Sequence, residues 1–256
     1  MPELDCLMEP HVVVDVSTES EGILENLEVD RGDVVKEGQV LATLEADVEK
    51  ATVELARARA ESTAEVNAKQ VSLAYGKRRQ KRFSELYAND AVPELEKDEA
   101  ETEATLAALK LREATEKRRL AELELRRALA ALKRRTIRSP VTGVVVERLA
   151  GPGESVEDQA VLRVAQLDPL NVEVIVPVSL YGTIKEGTPA LVMPEAPVGG
   201  NYRAIVTIVD RVLDAPSGTF GVRLELPNPN HSLPGGLKCR VRFLPPRQGS
   251  GDDTAS

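Results

Sequence analysis

The chain offers few residues whose types and spacing suggest chemistry: it has two cysteines and two histidines among 256 residues. Cys6 and Cys239 allow one disulfide, but two thiols are too few for a zinc or iron–sulfur site. His11 and His231 are isolated, so no Ser/His/Asp constellation includes them, and the chain has neither a Walker loop nor a dinucleotide fingerprint. The sequence therefore predicts a protein that is not an enzyme and binds no cofactor.

The composition further limits the class of protein and the kinds of partner that the chain can have. Aromatic residues make up only 3% of the chain and tryptophan is absent, which fits long alanine-rich helices better than a large enzyme core. The formal net charge of −9 argues against nucleic acid as a partner. The sequence contains no apolar run of about 18 residues, so it predicts no membrane-spanning helix. Because the opening residues are acidic and lack an apolar core, we expect a cytosolic chain or a mature form whose signal was removed.

Residues 47–134 are the element around which the rest is arranged. They are rich in Ala, Leu, Glu, Lys and Arg, which favour helices, and Pro93 is their only proline. Asn89 to Pro93 has the composition of a turn, with Pro93 suited to the first position of a new helix. The sequence predicts two antiparallel helices, 47–88 and 94–134, each about 60 Å long.

Heptad spacing predicts a coiled-coil seam between these helices. The expected seam positions are Leu106, Leu109, Leu120 and Leu123, with alanines at 107, 114, 121 and 128, facing Val48, Ala51, Leu55, Ala58 and Ser62. The strongly basic run 76–82 is a candidate surface for anionic lipid or nucleic acid, and the alternative is a solvated helix face, which we favour.

An internal repeat flanks the predicted hairpin. Gly22 and Gly32 are ten residues apart, as are Gly143 and Gly153, and Leu41 and Leu162 follow the second glycine of each pair by nine residues. Two unrelated segments rarely agree at so many points, so the repeat predicts two halves of one β-sandwich.

After residue 168, short alternating segments with Gly and Pro turns, ending at 237–243, predict a small barrel or sandwich. Residues 246–256 are polar and predict a disordered tail.

These features together resemble the periplasmic adaptor (membrane fusion protein, HlyD-like) family of tripartite efflux pumps. The resemblance rests on the split repeat, on the lipoyl-type string of residues 32–41 (Gly-Asp-x-Val-x-x-Gly-x-x-Leu), and on two strings at 217–223 and 227–237. It implies a mixed α and β fold: a lead-in strand joining the barrel (1–11), lipoyl/biotinyl-like sandwich halves (12–46 and 135–168), an inserted α-helical coiled-coil hairpin (47–134) and a β-barrel (169–245).

The resemblance also implies partners and a docking site. Family members bridge an inner-membrane transporter, here expected to be of the resistance-nodulation-division (RND) type, and a TolC-like outer-membrane channel, and they self-associate into rings in the periplasm. The hairpin tip docks the channel through an Arg, a Leu four residues later and a Ser seven residues after that. This chain has Arg82 and Leu86, but Pro93 stands at the serine position. Asn89 and Asp90 complete the predicted contact.

Two further expectations concern sulfur. By this fold, the lead-in strand enters from the barrel side and Cys239 lies in the last barrel strand, so Cys6 and Cys239 are a candidate disulfide; two separate thiols, or a lipid anchor at Cys6, are the alternatives. Some adaptors capture copper or silver with methionine clusters. This chain has only Met1, Met8 and Met193, which predicts no metal site.

Three other functions compete with the RND adaptor. An adaptor for an ABC exporter or a type I secretion system shares the same features. A lipoyl or biotinyl carrier needs a lysine at the position that falls on Val48, whereas the nearest lysine is Lys50, inside the predicted helix. A coiled-coil scaffold explains the hairpin but not the repeat or the barrel.

Overall fold

The structure, a computed structural model, describes residues 2–245, so the tail predicted at 246–256 lies outside the described residues. The chain divides into two compact units. A helical unit comprises residues 45–136, and a β unit is formed by the residues that precede and follow it.

The helical unit contains α1 (Asp47–Glu61), α2 (Ala64–Ala88) and α3 (Glu94–Arg134). The β unit contains β1 (Leu4–Ser17), β2 (Gly22–Leu27), β3 (Val34–Val35), β4 (Val40–Leu44), β5 (Thr136–Arg138), β6 (Gly143–Arg148), β7 (Ser155–Val156), β8 (Ala160–Pro177), β9 (Pro189–Pro194), β10 (Tyr202–Val209), β11 (Thr219–Leu226) and β12 (Leu237–Phe243), with a short 3₁₀ helix at Val178–Leu180.

The repeat forms a sandwich in which the two halves exchange strands. In one pairing β2 lies against β7, with Gly22 opposite Val156, and in the equivalent pairing β3 lies against β6, with Val35 opposite Gly143. Gly143 has a steric reason to be glycine, because a Cβ there would approach the Ala165 carbonyl oxygen to 2.2 Å. A single buried core is shared by both halves and includes Leu24, Val35, Leu41, Leu44, Val145, Val156, Val161 and Leu162. β4 and β5 belong to the second sheet of the sandwich, in the order β5-β4-β2-β7.

Six strands close into a barrel in the order β1-β12-β9-β10-β11-β8, with β1 also pairing with β8. Its core includes Met8, Leu170, Val172, Leu224 and Phe243. Both β1 and β8 run on into the sandwich: their pairing extends from Cys6↔Val174 in the barrel to Ser17↔Ala160 in the sandwich. The predicted boundary at 168–169 thus falls within a continuous strand, β8. The predicted fold class is confirmed.

The first arm of the hairpin is not one continuous helix, so the prediction of a single helix over 47–88 is wrong. α1 ends before Ser62, whose backbone is extended at φ −65° and ψ 113°, and α2 begins at Ala64. Ser and Thr compete with helical hydrogen bonding through their side chains, which explains a break at Ser62 and Thr63.

The seam is built from small residues. Its buried positions are Val53, Ala56 and Ala60 in α1, Gly76 in α2, and Ala100, Ala104, Ala107, Ala114 and Ala128 in α3. Three of the four alanines of the predicted 107–128 heptad are therefore buried, and Ala121 is half-buried. Small side chains let the helices approach closely.

The predicted leucine seam is wrong. Leu106, Leu109, Leu120 and Leu123 are between 47% and 60% exposed. On the first arm, Val48 and Leu55 are 76% and 55% exposed, and Ala51, Ala58 and Ser62 are also exposed. The physical reason is that a heptad pattern marks a stripe on a helix but not the direction in which the stripe faces. Here the alanine stripe faces the partner helix and the leucine stripe faces outward.

Candidate docking site at the hairpin tip

The hairpin turns through a tight helix-ending motif. Asn89 is the C-cap residue of α2, and Asp90 adopts a left-handed backbone conformation with φ 54°. The Asp90 amide donates to the Tyr87 carbonyl at 3.0 Å, and the Ala91 amide donates to the Leu86 carbonyl at 2.9 Å. This is the hydrogen-bond pattern of a Schellman motif, in which Asp replaces the usual glycine. The turn is therefore held by backbone bonds, and its side chains remain exposed.

α3, the second arm of the hairpin, starts directly after this turn. Pro93 is its N-cap, with φ −66° and ψ 155°, and no side chain caps the first turn. Sequence reasoning placed Pro93 one position later, as the first helical residue. Glu94 and Glu96 lie in the first turn, where negative charge offsets the positive end of the helix dipole.

The predicted contact residues all lie at or just below this turn and are all exposed. Leu86 is 36% exposed, and Asn89, Asp90 and Pro93 form the turn itself. The Asn89 side-chain amide donates to the Glu85 carbonyl at 2.8 Å, which orients that side chain. Arg82 lies one helical turn before Leu86 and has no ion-pair partner among the described residues. The tip is thus a small apolar and polar surface with one unpaired guanidinium beside it.

Sequence reasoning missed the residues that join the two helices beneath the tip. The Lys97 ammonium lies 5.2 Å from the centre of the Tyr87 ring, and the Arg79 guanidinium lies 5.4 Å from the centre of the Phe83 ring. Arg79 also forms an ion pair with Glu103 across the hairpin. The Lys97–Tyr87 contact and the Arg79–Glu103 ion pair connect α2 to α3, whereas the Arg79–Phe83 contact lies within α2. Two aromatic residues four apart in a chain with few aromatics were the available clue.

Charge is unevenly divided between the helices near the tip. The predicted basic run contributes Lys77, Arg78, Arg79, Lys81 and Arg82 to α2, and the facing part of α3 contributes Glu94, Glu96, Asp98, Glu99, Glu101 and Glu103. Only Arg79 and Glu103 of these sets pair with each other across the hairpin among the described ion pairs. Most of the basic run is a solvated face, as favoured from the sequence.

Cys6 and Cys239 form a disulfide in the β unit. They are direct register partners on the neighbouring strands β1 and β12, with Cα atoms 4.8 Å apart. Both are buried, at 7% and 2% exposure. The bond therefore joins the first and last strands of the barrel inside its core.

The other sequence candidates are dispersed. Met8 is fully buried in the barrel core. Met193 is half-exposed, on the face of β9 that points away from the barrel core. Met1 lies outside the described residues. Within residues 2–245, no three His, Cys, Asp or Glu side chains are grouped as metal ligands would be. Lys50 lies in the first turn of α1, where its ammonium is 3.1 Å from the Asp47 carboxylate.

The fold defines a class. A split sandwich with a helical hairpin inserted between its halves, followed by a six-stranded barrel, is the architecture of membrane fusion proteins. A family model described as "CzcB-like, barrel-sandwich hybrid domain" matches residues 12–166, and the chain belongs to this family. The resemblance inferred from the sequence is confirmed. No curated protein matches the chain.

Solved structures share the fold at low sequence identity. MacA from Actinobacillus actinomycetemcomitans matches with a TM-score of 0.78 and 21% identity, over 94% of this chain and 77% of that one. The membrane fusion protein Spr0693 from Streptococcus pneumoniae R6 matches at 0.65 and 15%, over 96% and 100%. A putative efflux transporter from Bacteroides eggerthii matches at 0.58 and 15%, over 94% and 68%.

The family defines the role in outline. Its members are generally non-catalytic adaptors of the periplasmic space that work with inner-membrane transporters and outer-membrane channels. In the described part of this chain, no helix combines the length and apolar character needed to span a bilayer.

Proposed function

We propose that this chain is a periplasmic adaptor that joins an inner-membrane efflux transporter to a TolC-like outer-membrane channel, with the hairpin tip as its channel contact. The observation that carries the proposal is the tip itself. Its backbone is held by its own hydrogen bonds, so Arg82, Leu86, Asn89, Asp90 and Pro93 are presented without a partner side chain covering them.

The chemistry of the tip suits a protein partner. The Arg82 guanidinium is planar and presents a fork of donors, so it can bind carbonyl or carboxylate oxygens of the channel. Leu86 offers an apolar contact beside it. Pro93, which occupies the family's serine position, cannot donate a hydrogen bond, so this contact must rely on Arg82 and Leu86.

The class of transporter separates the two adaptor hypotheses. The resemblance favoured an RND partner, and an ABC exporter or a type I secretion system is the alternative; the fold is compatible with each. Co-purification of the chain with representatives of each class discriminates between them. We further propose that the adaptor self-associates into a ring, since one hairpin alone does not enclose a conduit.

The tip assignment is tested by charge reversal. Arg82→Asp alters an exposed side chain, so the fold is expected to be unchanged while channel recovery in a pull-down falls at least tenfold. The matched control is Arg57→Asp, which reverses an exposed guanidinium in α1 far from the tip along the hairpin. Equal channel recovery by both variants and the unaltered chain would remove the tip assignment.

A further inference from the structure

A groove of about 650 Å³ lies on the outer surface of the barrel, within the β unit. Residues of β8, β9, β10 and β11 line it, together with residues that directly follow β11 and β12. Small-molecule pockets in proteins have volumes of about 300–1,000 Å³, so the groove is large enough to hold a ligand.

The floor of the groove is apolar and open to solvent. Ile205 is 55% exposed, whereas its neighbours in β10, Ala204 and Val206, are each 1% exposed in the barrel core. Because side chains alternate along a strand, Ile205 points outward. Its register partners are Pro189 on β9 and Glu225 on β11, so a proline ring and a carboxylate lie on either side of this apolar side chain.

Prolines form much of the wall of the groove. The four that line it are Pro169, Pro189, Pro227 and Pro245. The proline ring fixes φ, so these walls are rigid before any ligand arrives. Proline also lacks an amide hydrogen, so the walls present apolar rings and no backbone donor to an anion.

The charged groups of the groove favour a cation. Asp168 and Glu225 supply two carboxylates and Arg203 supplies one guanidinium, so the lining carries one net negative charge. The Asp168 carboxylate accepts a hydrogen bond from the Asn228 amide at 2.8 Å. Glu225 is half-buried and, among the described residues, makes neither an ion pair nor a side-chain hydrogen bond. A partly desolvated carboxylate without a partner is stabilised by a cationic ligand.

Neither neighbouring arginine occupies this role. Arg223, two residues before Glu225 on β11, donates to the Glu173 carboxylate at 2.5 Å. Arg203 is exposed and lies opposite Leu191 in the strand register, and it forms no ion pair within residues 2–245. Glu225 is therefore the available acceptor beside the apolar floor.

We propose that this groove binds an amphiphilic organic cation, with the charged group at Glu225 and the apolar body on Ile205 between the proline rings. Charge complementarity and the apolar lining together select this class of ligand. The groove lies in the β unit and the tip in the helical unit, so the site goes beyond the proposed channel contact and is tested independently of it.

Two ions of the same shape and opposite charge test the proposal. Tetraphenylphosphonium is a cation and tetraphenylborate is an anion, and both carry four phenyl rings on a central atom. Isothermal titration calorimetry with the full chain near neutral pH should give a Kd for the phosphonium ion at least about tenfold lower than for the borate ion. No binding of the cation, equal affinity for the two ions, or tighter binding of the anion would each overturn the proposal.

Glu225→Gln removes the charge with little change in shape. It should weaken tetraphenylphosphonium binding about fivefold. Glu195→Gln is the matched control, because it removes one exposed carboxylate of the β unit outside the groove and should leave the Kd unchanged. Equal binding by the two variants would mean that the overall negative charge of the chain attracts the ion, and the proposal would be wrong.

Two further variants test the class of ligand and its position. Arg203→Gln should leave the affinity for tetraphenylphosphonium unchanged or increase it, since the lining becomes more negative, whereas a severalfold loss contradicts a cation site. Ile205→Ser should weaken binding severalfold because it removes the apolar floor, and an unchanged Kd would place the cation outside the groove. All four substitutions alter side chains on the outside of the barrel core, and circular dichroism of each variant verifies the fold.

Discussion

Gly76 packs against the backbone of Ala104, and this contact sets how closely α2 and α3 approach. A Cβ on Gly76 would lie 3.2 Å from the Ala104 Cα and 3.7 Å from its Cβ. Glycine costs a helix interior about 1 kcal/mol relative to alanine, so its presence in the middle of α2 is explained by this contact.

Enlarging Gly76 should destabilise the hairpin. Gly76→Leu forces the two helices apart, and overpacking of this kind typically costs about 1–3 kcal/mol. Urea unfolding followed by circular dichroism measures the loss. Ala74→Leu, at an exposed position two residues away, is the control and should change the free energy of unfolding by less than about 0.5 kcal/mol. Equal stability of the two variants would contradict the close contact.

The ion pair of Glu49 and Arg135 should make stability depend on pH. The hydrogen bond from Arg135, 2.6 Å long, lowers the pKa of Glu49 below its ordinary value of 4.5. Because the folded state binds this proton less readily than the unfolded state, the carboxylate stabilises the fold above pH 4.5. That contribution is lost as the pH falls through the lowered pKa.

Glu49→Gln measures this contribution. Both partners are only about one-fifth exposed, at 17% and 21%, so we expect a loss of about 1 kcal/mol at neutral pH. The difference from the unaltered chain should shrink as the pH is lowered well below 4.5. Glu54→Gln, at an exposed position in α1, is the control. A difference that stays constant with pH would show that the substitution acts through something other than charge.

The Cys6–Cys239 bond should be present in protein purified from an oxidising compartment. It closes a loop with a sequence separation of 233, for which the chain-entropy model gives about 5 kcal/mol as an upper estimate. Ellman titration of denatured, unreduced protein should find no free thiol, and Cys6→Ala with Cys239→Ala should lower the free energy of unfolding by about 2–5 kcal/mol. Two titratable thiols would instead favour two buried, unbonded cysteines.

Hairpin length should matter for function but not for folding. Deleting residues 65–71 together with 111–117 removes one heptad from the same height on both arms, which preserves the seam register and shortens the hairpin by about 10 Å. We expect a folded chain that no longer supports efflux. Deleting 65–71 alone is the control for register and should destabilise the hairpin. Full efflux by the paired deletion would argue against a spanning role.

Most of the β unit was predictable because its two sandwich halves are similar in structure, and this similarity is visible as a repeat in the sequence. Glycines at matching turns, such as Gly32 at φ 94° and Gly153 at φ 86°, occupy equivalent left-handed positions in the two halves, so the sequence spacing reports the structure directly. The site of the hairpin turn followed from the composition of Asn89 to Pro93, and the candidate pairing of Cys6 with Cys239 followed from the strand order that the family resemblance implies.

The seam and the break were harder to predict for physical reasons. Leu106 and Ala107 both lie on stripes with heptad spacing, and tertiary contacts such as that of Gly76 with Ala104 decide which stripe faces the partner helix. The break at Ser62 and Thr63 depends on two residues with weak helix-breaking tendency, which favourable neighbours usually override. The contacts of Tyr87 with Lys97 depend on how the two helices align, which a single helix pattern does not report.

The two strands shared by sandwich and barrel have a mechanical consequence. β1 and β8 are antiparallel and continuous across both, so their hydrogen bonds lie perpendicular to any tension applied along the strands. Tension along the strands loads these bonds in shear, in stretches of the ladder that are separated by the register shift between Pro10 and Val12. Tension on the barrel is therefore transmitted to the sandwich along β1 and β8. The Cys6–Cys239 disulfide joins β1 covalently to its other neighbour, β12.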